Sequence, residues 1–504
     1  MADQPKSLAS NTAWSAVASL IATACRMSIG IFLAHYYSIE MNGSYLLFGW
    51  FAEFLTLLIC LGLPAVLNRY PALENKKGNL SVVNSIIQWA WKRTIFSGLL
   101  ISVIYFFVLK YWGTTKHFNE TTLILAATLL FTQSLSAIAN ACLTGLQLFK
   151  ALAINNLLMG MSLVILQSTG AYLYGIDGAL AGFILANLIS VILIIFKIKV
   201  HFNSNKIFTK YNFSEVKSYA LHSGIAAVIS AIVWSRCEIF FLNQFSTPTQ
   251  ASYFGVAMSL VSALSLGVTM LTGALTPHFS ASMATVMACR QLQRDYTLLT
   301  LLTALFCIPI SIFASALMPI LMPIIFGHKY IDATIVAQLL ILSAGLGFAN
   351  VGSILQYASG NSRFIMMTSL LGAVLMLTGL YFTIGLYGAL GAATIRLAVQ
   401  ILMISIGTRF NTRKLKISFP IKQLLIIVLI SCLVASPAYY LASINEPLYC
   451  VGYLPFAVIA WVVILKKIHL FTMHQSVRIY KIFKKLANGN QQGDLLNNYL
   501  LLSK

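Results

Sequence analysis

Residues 174–182 read YGIDGALAG and residues 385–393 read GLYGALGAA. A Gly-Ala-Leu word among small residues, set twice into long apolar runs, is either coincidence among greasy helices or the mark of a duplicated chain. Three further matches keep the same order. IFLAHYYSIEMNGSY (31–45) pairs with FFLNQFSTPTQASY (240–253), LGLP ending at Pro64 with ALTP ending at Pro277, and GLQLF from Gly145 with GNSRF from Gly360. The offsets run from 208 to 215 residues. Self-similarity at a fixed spacing has to be read before any single motif, because it sets the architecture.

The runs between these matches are membrane segments. The chain has 504 residues, 59% hydrophobic and 9% charged, far from the composition of a soluble globular protein. A helix needs about 20 apolar residues to span the hydrocarbon core. Fourteen stretches qualify: 11–37, 43–67, 94–112, 120–146, 152–174, 178–200, 219–245, 252–282, 297–326, 332–358, 364–385, 387–408, 420–442 and 447–466. They are too long for the ~10-residue alternating strands of an outer-membrane barrel. The first has no short apolar core leading to a small-residue cleavage site, so it reads as a span and not as a cleaved signal. The fold class expected is therefore an all-α integral membrane protein of about fourteen transmembrane helices.

Six spans separate each matched pair. An even number leaves the two copies in the same orientation, as parallel repeats related by an axis along the membrane normal. This predicts a first lobe at 1–200 (spans 1–6), a second at 201–410 (spans 7–12), an extra pair of helices at 411–466 and a tail at 467–504. Pro64 and Pro277 fall at matching ends of spans 2 and 8, where a proline removes a backbone hydrogen bond and favours a kink. They are hinge candidates, or ordinary membrane-helix prolines.

The net charge of +21 mostly encodes topology. With both termini on one side, 27 of the 33 Lys and Arg lie in the loops and termini of that side, and only Lys110, Lys116 and Lys329 lie on the other. This asymmetry places the basic side, and both termini, in the cytoplasm. A nucleic-acid partner is not implied. The eight cysteines show no C-x-x-C pair and read as buried thiols. Neither H-E-x-x-H nor G-x-x-x-x-G-K-[ST] occurs, so a zinc hydrolase and an ATP-driven pump both lack their signature, and no metal site is expected. Outward loops reach only about ten residues by these boundaries, too few for the catalytic domain of a membrane-bound polymerase or ligase. The segment from Arg478 to Leu486 alternates basic and apolar residues, as an amphipathic helix on the inner leaflet or as a plain solvated tail.

Three basic residues fall inside spans: Arg26, Arg236 and Arg396. Each costs roughly 2.5–3.5 kcal/mol at mid-membrane on the insertion scale, so each faces protein or water. Arg26 and Arg236 stand 210 residues apart, close to the repeat offset, on the first helix of each lobe. Paired guanidinium groups facing a cleft suit a phosphate or diphosphate headgroup. The other reading is local neutralisation, with Glu53 at a depth that fits Arg26; Glu238, at i+2 from Arg236, lies on a different helix face. Arg396 reads either way. Glu53 and Glu238 are the acids in the interiors of the spans, and they either balance these charges or carry a coupling proton or sodium ion.

LGLPAVLNRYPAL (61–73), IVWSRCEIFFLNQFS (232–246), LTGALTPHFS (271–280), MPIIFGHKYIDA (322–333) and YGALGAATIR (387–396) together resemble the Wzx-type O-antigen flippases. These are polysaccharide transporters of the multidrug/oligosaccharidyl-lipid/polysaccharide exporter superfamily. The likeness runs along nearly the whole chain and rests on the ordered series. It implies a flippase, not an enzyme, of the bacterial cytoplasmic (inner) membrane, moving a polyprenyl-diphosphate-linked O-antigen unit between leaflets during lipopolysaccharide assembly. It also implies a cationic cleft (Arg26, Arg236, Arg396), alternating access between two lobes, no cofactor beyond H+ or Na+ coupling, and membrane lipids and polysaccharide-assembly membrane proteins as neighbours. A lipid II flippase and an ion-coupled drug or metabolite antiporter of the same superfamily are the alternatives.

Overall fold

Inside a hydrocarbon layer no water satisfies backbone N–H and C=O groups, so an apolar segment must bond itself as a helix. A computed structural model describes residues 8–76, 79–111, 118–201, 214–234, 237–272, 288–359, 361–443 and 447–467, and every regular element among them is helical. In chain order these are α1 (Leu8–Tyr36), α2 (Ile39–Cys60), α3 (Leu63–Lys76), α4 (Leu80–Tyr111), α5 (Glu120–Gly145), α6 (Phe149–His201), α7 (Ser214–Trp234), α8 (Cys237–Phe245), α9 (Pro248–Thr272), α10 (Ala288–Phe326), α11 (Thr334–Gly345), α12 (Asn350–Ala358), α13 (Ser362–Lys414), α14 (Ile421–Ser443) and α15 (Pro447–Lys467). Two 3-10 turns, His328–Ala333 and Leu346–Ala349, flank α11.

Both α6 and α13 have 53 residues. As straight rods they would be about 80 Å long, well over twice the ~30 Å hydrocarbon thickness. Each instead turns back at a glycine that holds a backbone closed to other residues: Gly175 at φ 59°, ψ −136° and Gly388 at φ 53°, ψ −132°. The arms then close against each other. A Cβ on Gly178 would run into the Gly170 carbonyl and one on Gly182 into that of Leu166; in α13 one on Gly391 would meet the Thr383 carbonyl. Each long element is therefore a hairpin of two crossings. Counting both arms, leaving out the 14-residue α3, and taking α7 with α8 and α11 with α12 as single passes, the described helices make the fourteen passes expected from composition. Among the described residues, ten helical stretches are long and apolar enough to cross a membrane by length and composition.

The turns also correct the register of the repeat. Tyr174–Gly175 and Tyr387–Gly388 are the equivalent steps, 213 residues apart, where the quoted words aligned Tyr174 with Gly385. Apolar words slide past one another at little cost; a backbone only glycine tolerates does not.

Other differences follow from reading spans by hydropathy alone. The stretch 43–67 is not one helix: α2 ends at Cys60, Leu61 and Gly62 take positive φ (31° and 76°), and α3 begins at Leu63. Pro64 thus sits in the first turn of α3, where its missing N–H has no helical partner to lose. The basic region from Arg69 onward, read as a loop, is largely α3 and the first turns of α4. Span 219–245 contains α7 and α8, and residues 235 and 236 between them lie outside the described ones. Pro277, Arg236 and the tail from Arg478 lie outside the described residues. Of the cysteines, Cys60, Cys142, Cys237 and Cys307 are buried free thiols, whereas Cys25 is partly exposed and Cys432 is exposed.

Two apolar cores hold the helices together. One runs from Ile29 to Ala220 and is built chiefly by α1–α6, and the other joins Ala34 to residues between Cys237 and Val399. On the outside, α4 presents Phe96, Leu99, Leu100, Val103, Ile104 and Phe107, a face suited to lipid. The α14–α15 pair packs on α10.

Candidate functional site

Arg26 is exposed on α1, and its side chain borders a cavity of about 460 Å³ between α1, α2, α3, α5 and α6. Residues 133, 136, 140 and 144 follow helical spacing, so α5 contributes one polar face: Gln133, Ser136, Asn140 and Thr144. Asn68, Asn156 and Asn187 add carboxamides from α3 and α6, and among the described residues no carboxylate lines the cavity. Asn155 beside it donates to Ser190 Oγ (2.9 Å) and Asn140 Oδ1 (3.3 Å). Asn187 is 1% exposed, yet neither its Nδ2 nor its Oδ1 has a hydrogen-bond partner, and Gln133 Oε1 is unpartnered as well.

Glu53 is exposed on α2 and is not among the lining residues. No ion pair joins it to Arg26 among the described residues. The neutralisation that matching depths allowed is therefore not formed.

A second cavity, of about 230 Å³, lies between α10, α12 and α13. It is the counterpart of the first at the hairpin offset. Ser353 stands 213 residues after Asn140, Ser369 after Asn156 and Gln400 after Asn187, and all six line their respective cavities. The contents differ. No charged side chain lines the second cavity, and its buried amides bond one another: Gln356 Nε2 donates to Asn411 Oδ1 (3.1 Å) and to the Gly407 carbonyl (3.1 Å), and Asn411 Nδ2 to the Gly352 carbonyl (3.4 Å).

The structure brings together two residues that sequence spacing left apart. Arg396, on the second arm of α13, donates from Nη1 to Glu238 Oε1 of α8 at 2.5 Å. The Glu238 side chain is fully buried and that of Arg396 is 11% exposed, so the charges compensate each other away from water. Glu238 Oε2 has no hydrogen-bond partner. Of the two roles open to Arg396, charge balance is the one its geometry carries. A further buried acid, Asp295 on α10, was missed because the span there was drawn from 297.

The first and second halves of the chain touch at both ends of their interface. At the α1–α2 turn, Asn42 Nδ2 donates to Ser252 Oγ (2.9 Å) and to Tyr330 Oη (3.0 Å), all three residues being buried. Lys329 donates to the carbonyls of His35 (3.0 Å) and Tyr37, and His35 Nε2 to that of Ile325 (2.9 Å). These are carbonyls left open at the C-terminal ends of α1 and α10, each capped from the other half. At the α3 end, Gly62 lies against Ala220 and Gly224 of α7, and Arg69 sits over the Tyr219 ring at 4.9 Å. Between the ends, Trp50 stacks on Phe240 at 5.3 Å.

Residues 43–335 match the family model described as polysaccharide biosynthesis protein. No curated protein matches the chain. Among solved structures it is similar to lipid II flippase MurJ in an inward closed conformation, at 13% identity and TM-score 0.70, over 90% of this chain and 98% of that one. It is also similar to a mutant of the Vibrio cholerae MATE transporter VcmN (16% identity, TM-score 0.58, 81% and 97% covered). A third likeness is to an inward-facing multidrug resistance MATE family transporter of the MOP superfamily (14%, 0.56, 82% and 96%). At these identities the likeness is one of fold.

Proposed function

We propose that this chain, which belongs to the polysaccharide biosynthesis protein family, carries a polyprenyl-diphosphate-linked oligosaccharide from the inner to the outer leaflet of a bacterial cytoplasmic membrane. Family and fold make it a flippase or transporter of the exporter superfamily, not an enzyme. The observation that carries the cargo assignment is Arg26: a guanidinium facing a polar cavity inside the membrane, with no carboxylate lining that cavity among the described residues. An anionic headgroup supplies the missing charge, and a diphosphate matches the guanidinium fork. A cationic drug finds no acid there. Arg236 on the opposite half is the second phosphate contact in this reading, and Arg396 holds Glu238. Of the two acids considered for ion coupling, the exposed Glu53 is the one left available.

The movement is alternating access between residues 1–200 and 201–410, with 411–466 riding on the second lobe and 467–504 in the cytoplasm. Pro64, beside the break after α2, and Pro277, outside the described residues, are its hinge candidates. The polyprenyl chain stays in lipid while the sugar diphosphate crosses between the lobes.

The test is the leaflet distribution of lipid-linked oligosaccharide in cells with and without the gene. Trapping on the cytoplasmic leaflet, rescued by the wild type and not by Arg26→Gln, supports the reading; an unchanged distribution removes it. Lipid II is the second cargo, favoured by the fold likeness to its flippase, and following both glycolipids in the same cells separates the two.

A further inference from the structure

The repeat supplies an internal control for deciding whether the Arg26 cavity is a binding site or a packing defect. Its counterpart in the second half has its buried amides bonded among themselves, through Gln356 and Asn411. In the first half the architecture is the same, but Asn187 is 1% exposed with both amide atoms unpartnered, and Gln133 Oε1 is unpartnered too. Buried amides are almost always hydrogen-bonded, and each orphan costs the desolvation of a polar group. A pair of orphans facing one cavity, in one repeat and not in the other, marks a place completed by something else. Its volume of about 460 Å³ lies in the range of small-molecule sites.

The chemistry of the occupant follows from the lining. A metal cation is excluded by the guanidinium and by the lack of a carboxylate. A bare anion satisfies Arg26 and leaves the amides of Asn187 unmet. A ring bearing several hydroxyls both donates and accepts, as a carboxamide requires of its partner.

We propose that this cavity, within the first half of the chain, seats the phosphate-proximal sugar of the cargo, with Asn187 and Gln133 reading its hydroxyls while Arg26 holds the adjoining phosphate. The inference rests on the flippase reading for the identity of the cargo and adds the residues that select it. The first sugar is then recognised by one half alone, before the halves move.

The test is binding to the purified full-length protein in detergent, with glucose 1-phosphate, glucose and inorganic phosphate as three separate probes followed by ligand-observed NMR. Glucose 1-phosphate is expected to bind more tightly than either fragment. Asn187→Leu or Gln133→Leu should weaken it by roughly tenfold, toward the affinity of phosphate alone. Gln400→Leu, at the position equivalent to Asn187, should leave it unchanged. Gln133 is only partly buried, so its variant keeps the test open if Asn187→Leu does not fold. Phosphate binding as well as glucose 1-phosphate would reduce the site to an anion site and overturn the proposal. So would equal losses from Asn187→Leu and Gln400→Leu, or no binding of glucose 1-phosphate at concentrations that saturate ordinary sugar sites, which would leave bound water as the partner of the amides. Leaflet sidedness is a separate readout: a protein that passes it and fails here is a flippase whose sugar site lies elsewhere.

Discussion

Replacing Arg396 by methionine tests the Glu238–Arg396 pair most directly. The Glu238 side chain has no exposed surface and its only partnered oxygen is the one bonded to Arg396 at 2.5 Å. Removing the arginine strands a carboxyl group that no water reaches, and breaking a buried pair from one side costs about 3–5 kcal/mol. Glu238→Gln is milder: its amide oxygen still accepts from the guanidinium, and Arg396 retains 11% exposure, so about 1.5–3 kcal/mol is expected for the lost charge-assisted bond. The double variant Glu238→Gln/Arg396→Met strands no ion but leaves the buried carboxamide without its partner, at about 1–3 kcal/mol. It should therefore be more stable than the arginine single variant, with a coupling of at least about 1.5 kcal/mol in the cycle. The assay is thermal denaturation of the four proteins in one detergent, read by intrinsic fluorescence and by loss of the monodisperse peak. If the effects of the two single variants simply add, or if Arg396→Met alone loses less than about 1 kcal/mol, the pair is not a buried structural unit. Arg396 would then be free to serve the cargo.

Gly62→Ala should destabilise the protein by about 1–3 kcal/mol, because φ at 62 is +76° and a Cβ there meets the Ala220 carbonyl of α7; folded yield and melting temperature read it. Gly175→Ala and Gly388→Ala should each cost a similar amount, about 1–3 kcal/mol, since both hold the same backbone at the tips of the two hairpins. A large effect at one and none at the other would break the structural equivalence of the repeat. Bridging Asn42→Cys to Ser252→Cys with a short thiol-reactive linker should stop glycolipid transport, and cleaving the linker should restore it, because the two native side chains bond each other across the interface. Transport that continues with the link in place would mean that this end never opens.

How much of this was readable from sequence differed by element. Hydropathy located the passes because a membrane helix must be apolar along about 20 residues, and that constraint leaves a mark on nearly every position. It could not place α3: Asn68, Arg69, Glu74 and Lys76 read as a polar loop, whereas they lie on a helix that buries Glu74 and leaves Asn68 and Arg69 exposed. Arg26 was legible as a charge in an apolar run, and its environment was not, since the carboxamides around it are 40 to 160 residues away in sequence. Asn187 looked unremarkable for the same reason; the signal that could have flagged it was its place on the repeat, opposite Gln400. Arg396 had no partner at any helical spacing because its partner lies 158 residues away on another element.

The contacts at the α1–α2 end bear on how the proposed transport is driven. Among the described residues five hydrogen bonds cross between the halves there, two from Asn42, two from Lys329 and one from His35. At a net 0.5–1.5 kcal/mol each they hold that end shut by roughly 3–7 kcal/mol. Moving a two-state equilibrium from 1:99 to 99:1 takes about 5.5 kcal/mol of differential binding, which is of the same size. The closed end is thus strong enough to prevent idle opening and weak enough to be overcome by a ligand that prefers the open state. A cargo whose first sugar is held by one half only, against Asn187 and Gln133, asks of the other half no more than the Arg236 phosphate contact and leaves it freer to swing. A cargo gripped equally by both would add its own bonds to those already holding the halves together. The asymmetry of the two repeat-related cavities, one with open amides and one closed on itself, is what such a mechanism requires.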